Sequence, residues 1–468
     1  MNTEKQTKKR NMSWLLPFAS ILLFAGIATT LWLGAFAADF AVAPEAEDGS
    51  LSPKASVANM ADTSGGSAVQ FRHEFGTLVD RRPEGNPRFT YRLFGGDDNP
   101  IRIPEDRRNV YDVYLLSTYM VNIAQAIKDT NPDAVTLMYK DASSARGDSP
   151  TDYGGWCSAD GGTIGHDWGV DYCDAYANHP EWFMTHQGSY FEYNGYPHHW
   201  HMDVMAAGYK ERWLSNVLAD LQHSSVWDGV FVDNMLSDIR AYVPGRVFPD
   251  QYATLEAGHD AYADFMDFIG PELKAQGFAV VGNDNDVRLY PGLWERYTRN
   301  ASGGYDEFWT TFGGTASEPN NLPLYGGVGW EAHAAEMETM AAQSKLGIAV
   351  AQDNGGVCTE CTKYGFASYL LVNDGRQTYQ QGYVDTPPDD FVASTPMLQW
   401  QLGNATSPRT EIETNVFQRT FDHGMAIVNA DNNATHTITL PGTYLDEAGN
   451  PQTSVTLGPT RGTVLRTQ

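Results

Sequence analysis

From residue 88 onward, short apolar runs alternate with amphipathic stretches. Residues 89–94, 134–139, 230–232, 278–282 and 348–352 have the length and composition of buried strands. Residues 208–222 place Trp213, Val217, Leu218 and Leu221 on one helical face. Residues 260–275 predict a second amphipathic helix, which Gly270-Pro271 should kink or divide, and residues 331–346 predict a third. Residues 113–127 fit either a helix or a strand running into one. Helices that each feed a short apolar strand are the signature of a parallel α/β sheet. The number of such units up to about residue 403 suits a TIM-type (β/α)8 barrel better than an open sheet. No G-x-G-x-x-G follows a strand, so a dinucleotide-binding fold has no support.

The flanks follow other patterns. Residues 142–178 read as a long loop rich in Gly, Asp, Ser and Cys; residues 182–186 and 190–193 as short strands; residues 202–205 as the end of a further barrel strand. Beyond about residue 408, strands at 416–421, 424–428, 436–440, 454–457 and 462–466 are separated by Asn, Asp, Gly and Pro turns, with no helix between them. Residues 408–468 are therefore expected to form a small C-terminal all-β sandwich module, and residues 67–407 the barrel. At the other end, Lys5, Lys8, Lys9 and Arg10 precede an apolar run over residues 14–38, as long as a membrane span. Ala35-Phe36-Ala37 offers a cleavage site, so residues 1–38 read as a signal peptide or a signal anchor. Either places the rest outside the cytoplasm: secreted, periplasmic or membrane-anchored. Residues 39–66 are rich in Ala, Ser, Pro and Glu and read as a flexible linker.

Charge and cysteines sharpen this picture. With 58 acidic and 31 basic residues the net charge is -27, which argues against nucleic acid, anionic membranes or a polyanionic substrate as partners. The favoured disulfide pairing is the local one, Cys157 with Cys173 and Cys358 with Cys361, over a zinc site or a redox C-x-x-C. No cofactor is expected.

The chemistry points to the segment Trp227-Asp228-Gly229-Val230-Phe231-Val232-Asp233-Asn234. An apolar run ends abruptly in Asp233, where a parallel barrel strand opens at the catalytic end; a helix N-cap is the bland alternative. Asp228, at the opposite end of the run, reads as a structural turn residue. Other strand ends supply Tyr139-Lys140-Asp141, Asp203, Asn283-Asp284-Asn285, Tyr305-Asp306-Glu307 and Gln352-Asp353-Asn354. A mouth rich in carboxylates and amides is what glycoside hydrolysis requires. One carboxylate attacks or activates water, and a second, protonated, donates to the leaving oxygen. Asp233 is the expected first carboxylate. Glu307 is favoured over Asp306 as the second, because flanking aromatics would desolvate it; Asp284 or Asp286 is the remaining candidate. Tyr139, Lys140, Asp203, Asn234, Asn283, Asp284, Asp306, Trp309 and Asp353 are expected to contact a carbohydrate polymer or oligosaccharide.

The segment from Trp227 to Asn234 resembles the fourth-strand motif of exported (β/α)8 glycoside hydrolases, among them endo-α-1,4-polygalactosaminidase-like enzymes and the α-galactosidase clan. His179-Pro180-Glu181-Trp182-Phe183, Met202-Asp203-Val204 and residues 424–429 are similar to segments of hypothetical glycosyl hydrolase family 15, Met202-Asp203-Val204 to its third strand. The resemblance covers most of residues 80–468. It implies that Asp233 is a nucleophile and Glu307, on the sixth strand, the acid/base of a retaining mechanism with the two carboxyl groups about 5 Å apart. The insertion carrying Cys157 and Cys173 and the doubled Asp306-Glu307 depart from that pattern.

Two other function classes compete. His199, His201 and Asp203 share strand parity, as the ligands of a metal-dependent hydrolase or deacetylase can. A non-catalytic carbohydrate-binding protein on a barrel fold is the third reading.

Overall fold

The computed structural model describes residues 55–59, 67–71, 78–147, 157–284, 286–311, 329–352, 359–381, 392 and 395–468. Eight strands run in chain order: β1 Thr90–Leu93, β2 Val113–Leu116, β3 Val135–Asp141, β4 Gly229–Asp233, β5 Ala279–Asn283, β6 Gly303–Asp306, β7 Leu346–Ala351 and β8 Thr378–Gln381. Each pairs in parallel with the next. A parallel bridge between Phe89 and Tyr379 returns β8 to β1, so the sheet closes as a TIM-type barrel.

The helices are α1 Val121–Thr130, α2 Tyr172–Asn178, α3 Tyr209–His223, α4 Leu255–Ala275, α5 Leu293–Thr298, α6 Gly329–Ala342 and α7 Thr359–Val372. All but α2 follow a barrel strand, from α1 after β2 to α7 after β7. Two 3-10 turns, Pro100–Arg102 and Glu105–Arg107, stand where a helix after β1 would be. The ambiguous stretch at 113–127 is thus β2 followed by α1. Pro271 does not divide α4, which runs as one helix of 21 residues capped by the Thr254 hydroxyl on the Ala257 N–H.

Residues 142–208 form an insertion between β3 and α3. It holds the Cys157–Cys173 disulfide, α2 and two short antiparallel pairs, one between Ser144–Arg146 and His199–His201. Met202 bridges to Phe183 inside this insertion, so residues 202–205 are not a barrel strand as the sequence suggested; the third strand is β3. Gly169 lies against the Trp213 ring so closely that a Cβ would come within 2.0 Å of the indole, which is how the insertion seats on α3. Cys361 is also disulfide-bonded, and its expected partner Cys358 lies outside the described residues.

The C-terminal module is one six-stranded antiparallel sheet: β9 Thr410–Glu413, β10 Val416–Phe421, β11 Gly424–Asn429, β12 His436–Leu445, β13 Pro451–Leu457 and β14 Arg461–Arg466, in the order β9-β10-β11-β14-β12-β13. Phe417, Ala426 and Val464 join the barrel's outer core, while Met425, Ile427, Ile438 and Leu465 form a separate cluster. Residues 73–468 form one compact unit. In the other unit, Ala55–Asn59 pairs antiparallel with Ser67–Phe71, so part of the expected linker is strand. The expected signal or anchor segment lies outside the described residues. Among the described residues, no helix is long and apolar enough to cross a membrane.

Strand alternation divides the barrel into two layers. Val113, Leu115, Val135, Leu137, Phe231, Val281, Tyr305, Ile348 and Val350 fill its interior. Met138, Val230, Val232, Val280 and Ala349 face the helices. The same parity explains where sequence-based site assignments fail. Lys140 follows Met138 outward, is fully buried, and donates to Asp220 of α3 at 2.7 Å and to the Thr163 and Trp168 carbonyls at 3.3 Å. Asp284 and Asp306 also fall on the outer face. They lie beside Arg288 and Glu336 of α6, with Asp306 3.7 Å from the Arg288 guanidinium. Burial, then the Asp306 charge, pushes both Asp284 and Glu336 well above the usual carboxylate range. None of these side chains reaches the barrel mouth.

Two stability predictions follow from this outer layer. Lys140→Ala leaves Asp220 buried without its cation and should cost about 3–5 kcal/mol in denaturant unfolding; a loss under about 1 kcal/mol would show that Thr163 and the Gly165 N–H, which also bond Asp220, suffice. Asp284 has a folded-state pKa above its unfolded value of about 3.9, so its stabilising effect is complete below about pH 4 and fades as pH rises through the raised value. Thermal scans from about pH 4 to 8 should show Tm falling, and Asp284→Asn should flatten that fall. An unchanged slope in the variant would exclude Asp284 as its source.

Candidate active site

The inward parity that packs the barrel with apolar side chains changes to polar residues at the carboxyl ends of the strands. Leu137 is followed inward by Tyr139 and Asp141, Phe231 by Asp233, Val281 by Asn283, Tyr305 by Glu307, and Val350 by Gln352. Arg92 points the same way from β1. All of these polar residues but Asn283, which sits beneath and bonds Asp233 and Glu307, line a cavity of about 940 Å³ together with residues of the insertion.

Asp233 and Glu307 meet at its floor. The Asn283 amide nitrogen donates to Asp233 Oδ1 at 2.8 Å and to Glu307 Oε2 at 2.9 Å. One shared donor therefore keeps those oxygens under about 6 Å apart, a bound that admits the ~5–5.5 Å of retaining pairs and falls short of the ~6.5–9.5 Å of inverting ones. Asp233 also accepts the Tyr139 hydroxyl at 2.6 Å and the Asn234 N–H at 2.8 Å. Glu307 accepts Arg92 at 3.0 Å and the Gln352 amide at 3.3 Å. The expected aromatic surroundings of Glu307 are thus replaced at its carboxylate by a guanidinium and two amides.

Burial, then Glu307, pushes Asp233 up; Arg92 and the bonds from Tyr139 and Asn283 oppose the shift. Burial works against the Arg92 charge, but Tyr305, Glu307 and Asp233 outweigh it and hold the guanidinium well into its charged range. Burial, followed by the charges of Asp233 and Asp141, keeps the Tyr139 hydroxyl protonated and so able to donate.

Of the sequence-predicted contacts, Tyr139, Asn234 and Asn283 stand in this group with Asp233 and Glu307. Lys140, Asp284 and Asp306 stand behind the barrel wall. Asp203 does not line the cavity either: as part of the insertion it accepts the Tyr252 hydroxyl at 2.6 Å and the Met205 N–H at 3.0 Å. Trp309 lies past the end of β6, fully buried, with its indole N–H on the His333 carbonyl at 2.7 Å; its neighbour Phe308 lines the cavity instead. Asp353 lies outside the described residues.

The metal alternative does not assemble. His199 lines the cavity, His201 is fully buried and held neutral by burial at about 3, and Asp203 is turned to Tyr252. Among the described residues, the one group of three potential ligands is Cys157, Asp171 and Cys173, and its two sulfurs form the disulfide. The arrangement instead brings two carboxylates to one shared amide donor.

Arg92 and the aromatics Phe94, Trp168, Tyr193, Tyr196 and Tyr242 were absent from the predicted contacts, while Asp141 and Gln352 read from sequence only as strand-end residues of the mouth without a role. Arg92 carried a signal, a lone cation between the apolar Tyr91 and Leu93. Asp141 lies two residues beyond Tyr139 and shares its parity. The insertion's aromatics had no local signal.

A search of curated proteins finds no match. Solved structures similar to this chain include the glycoside hydrolase domain of PelA from Pseudomonas aeruginosa (12% identity, covering 68% of this chain and 98% of that one, TM-score 0.39). Others are the maltogenic α-amylase AmyB from Thermotoga neapolitana (9%, 82% and 99%, 0.45) and Aspergillus fumigatus Ega3 in complex with galactosamine (9%, 65% and 94%, 0.38). The family model described as hypothetical glycosyl hydrolase family 15 matches residues 128–425, which take in β3 to β8, the insertion and the start of the C-terminal sheet, and the chain belongs to that family.

Proposed function

We propose that this glycoside hydrolase is exported and cleaves O-glycosidic bonds of a poly- or oligosaccharide by a two-carboxylate, retaining mechanism. The observation that carries the reading is the Asn283 amide shared between Asp233 and Glu307 at the floor of the cavity. Asp233 attacks the anomeric carbon while Glu307 gives its proton to the departing oxygen. Water then enters, loses a proton to Glu307 and displaces Asp233. Tyr139 and the Asn234 N–H stabilise the Asp233 carboxylate whenever it is released. The same separation favours catalysis over a binding-only role. The disulfide in the insertion and the basic-then-apolar N-terminus support export.

The cavity also supports a substrate class. Asp141, Asp167, Asp233 and Glu307 line it against Arg92 and Arg146, and its aromatic walls suit the apolar faces of sugar rings. A neutral or cationic glycan fits this charge balance better than a polyanion.

With the soluble chain on a panel of α- and β-linked glycans, Asp233→Asn and Glu307→Gln should each lose about a thousandfold or more in kcat. Asp306→Asn, on the outer face, should stay within about tenfold. Proton NMR of the first product should show the anomer of the substrate; an inverted product would overturn the nucleophile assignment. Turnover of a uronic-acid polymer at a rate equal to that of neutral glycans would remove the charge argument.

A further inference from the structure

Asp141 lines the cavity but takes no part in the two-carboxylate chemistry. It ends β3 in register with Asp233 on β4 and is 3% exposed. Its Oδ1 accepts the N–H groups of Ser143 at 2.9 Å and Ser144 at 2.8 Å. Its Oδ2 accepts the Ser144 hydroxyl and the Asn234 side-chain amide, both at 2.6 Å. A carboxylate offers about four lone-pair sites, so these donors saturate it and leave none for a sugar hydroxyl. Its charge therefore acts on the protein.

The residue it reaches is the one after Asp233. Asn234 stands in the left-handed backbone region, φ 57°, a conformation costly for most side chains. Two side-chain contacts hold it there: its amide on Asp141, and its carbonyl accepting the Ser143 hydroxyl at 3.0 Å. In that conformation its own N–H turns back onto Asp233 Oδ1 at 2.8 Å. The Ala142 N–H, on the Asp233 carbonyl at 3.0 Å, ties the same two strand ends.

We infer that Asp141 is a positioning residue: through the Asn234 amide it locks the left-handed turn that aims the Asp233 carboxylate into the cavity. The consequence for catalysis rests on the two-carboxylate reading; the geometric claim does not. The groups facing Asp141 are Asp233 on β4, Tyr139 on its own strand, Tyr193 of the insertion, Tyr209 on α3, Tyr242 on the loop after β4 and Tyr262 on α4, with His199 reached through the Ser144 hydroxyl. Burial holds each of these five tyrosines protonated and pushes His199 down to about 4. Asp233 is therefore the charge Asp141 meets near neutrality. Burial, then Asp233, pushes Asp141 up to about 7, so the lock weakens as acid is added.

Asp141→Asn turns an amide N–H toward existing donors, and Asn234→Gly keeps the left-handed turn and the backbone N–H but cuts the link. On a glycan that the wild type cleaves and Asp233→Asn does not, each single variant should lower kcat by about ten- to a hundredfold with KM within about threefold. The double variant should be no worse than Asp141→Asn, and in Asp141→Asn the acid limb of kcat/KM should move below its wild-type position. A crystal structure of Asp141→Asn should show the Asn234 N–H off Asp233. Wild-type kcat and acid limb in both singles, strictly additive losses, or an intact Asn234–Asp233 bond in the crystal would each overturn the inference. If Asp141→Asn does not fold, Asn234→Gly decides: unchanged kcat with Asp233 in its wild-type position sinks it. Activity surviving in Asp233→Asn would count against the two-carboxylate reading alone, and the crystallographic comparison would still judge the positioning.

Discussion

Two carboxylates repel one another, and the repulsion grows as water is excluded. Asp233 and Glu307 nevertheless share one amide donor at the floor of a cavity. The barrel mouth is organised around that constraint. Arg92 is buried from β1 so that its charge lies against Glu307, and Tyr139, Asn283 and the Asn234 N–H each bring a donor to Asp233. None of these groups is adjacent in sequence to more than one other. They converge because parallel strands in register present the same parity at the same height.

That parity also creates the second, hidden acidic layer. Asp284 and Asp306 lie one position from the site residues Asn283 and Glu307, and one position is enough to turn them from the cavity to the helices. There they lie with Glu336 and Arg288, where burial, then the Asp306 charge, favours the protonated forms of Asp284 and Glu336. The two sets of carboxylates are separated by the thickness of a strand and differ in what surrounds them. The inner set is met by donors and a cation, the outer set largely by protein interior and by itself.

The insertion does different work. Stapled by Cys157–Cys173 and seated on α3 through Gly169, it carries Trp168, Tyr193 and Tyr196 to the rim of the cavity. The stacked pair of Tyr193 and Tyr242, 4.2 Å between centroids, joins it to the loop after β4. Carboxylates on rigid strand ends and aromatic surface on an inserted loop match the division of labour expected of this fold.

Local pattern was sufficient for the barrel, the C-terminal all-β module and the strand ends at Tyr139, Asp233, Asn283 and Glu307, because apolar runs and their abrupt polar ends are properties of neighbouring residues. It was not sufficient for Lys140, Asp284 and Asp306, whose side of the sheet depends on which residue of each strand first faces inward. Nor did it reveal that residues 202–205 belong to an insertion, since a short apolar run reads alike in a barrel and in a hairpin. Arg92, Asp141 and the cavity aromatics are joined to Asp233 and Glu307 by strand register and loop packing, contacts between residues far apart in the chain. The kind of chemistry was therefore written in sequence-local carboxylates, while their partners were decided by closure of the barrel, which alone brings β1 and the insertion to the same mouth.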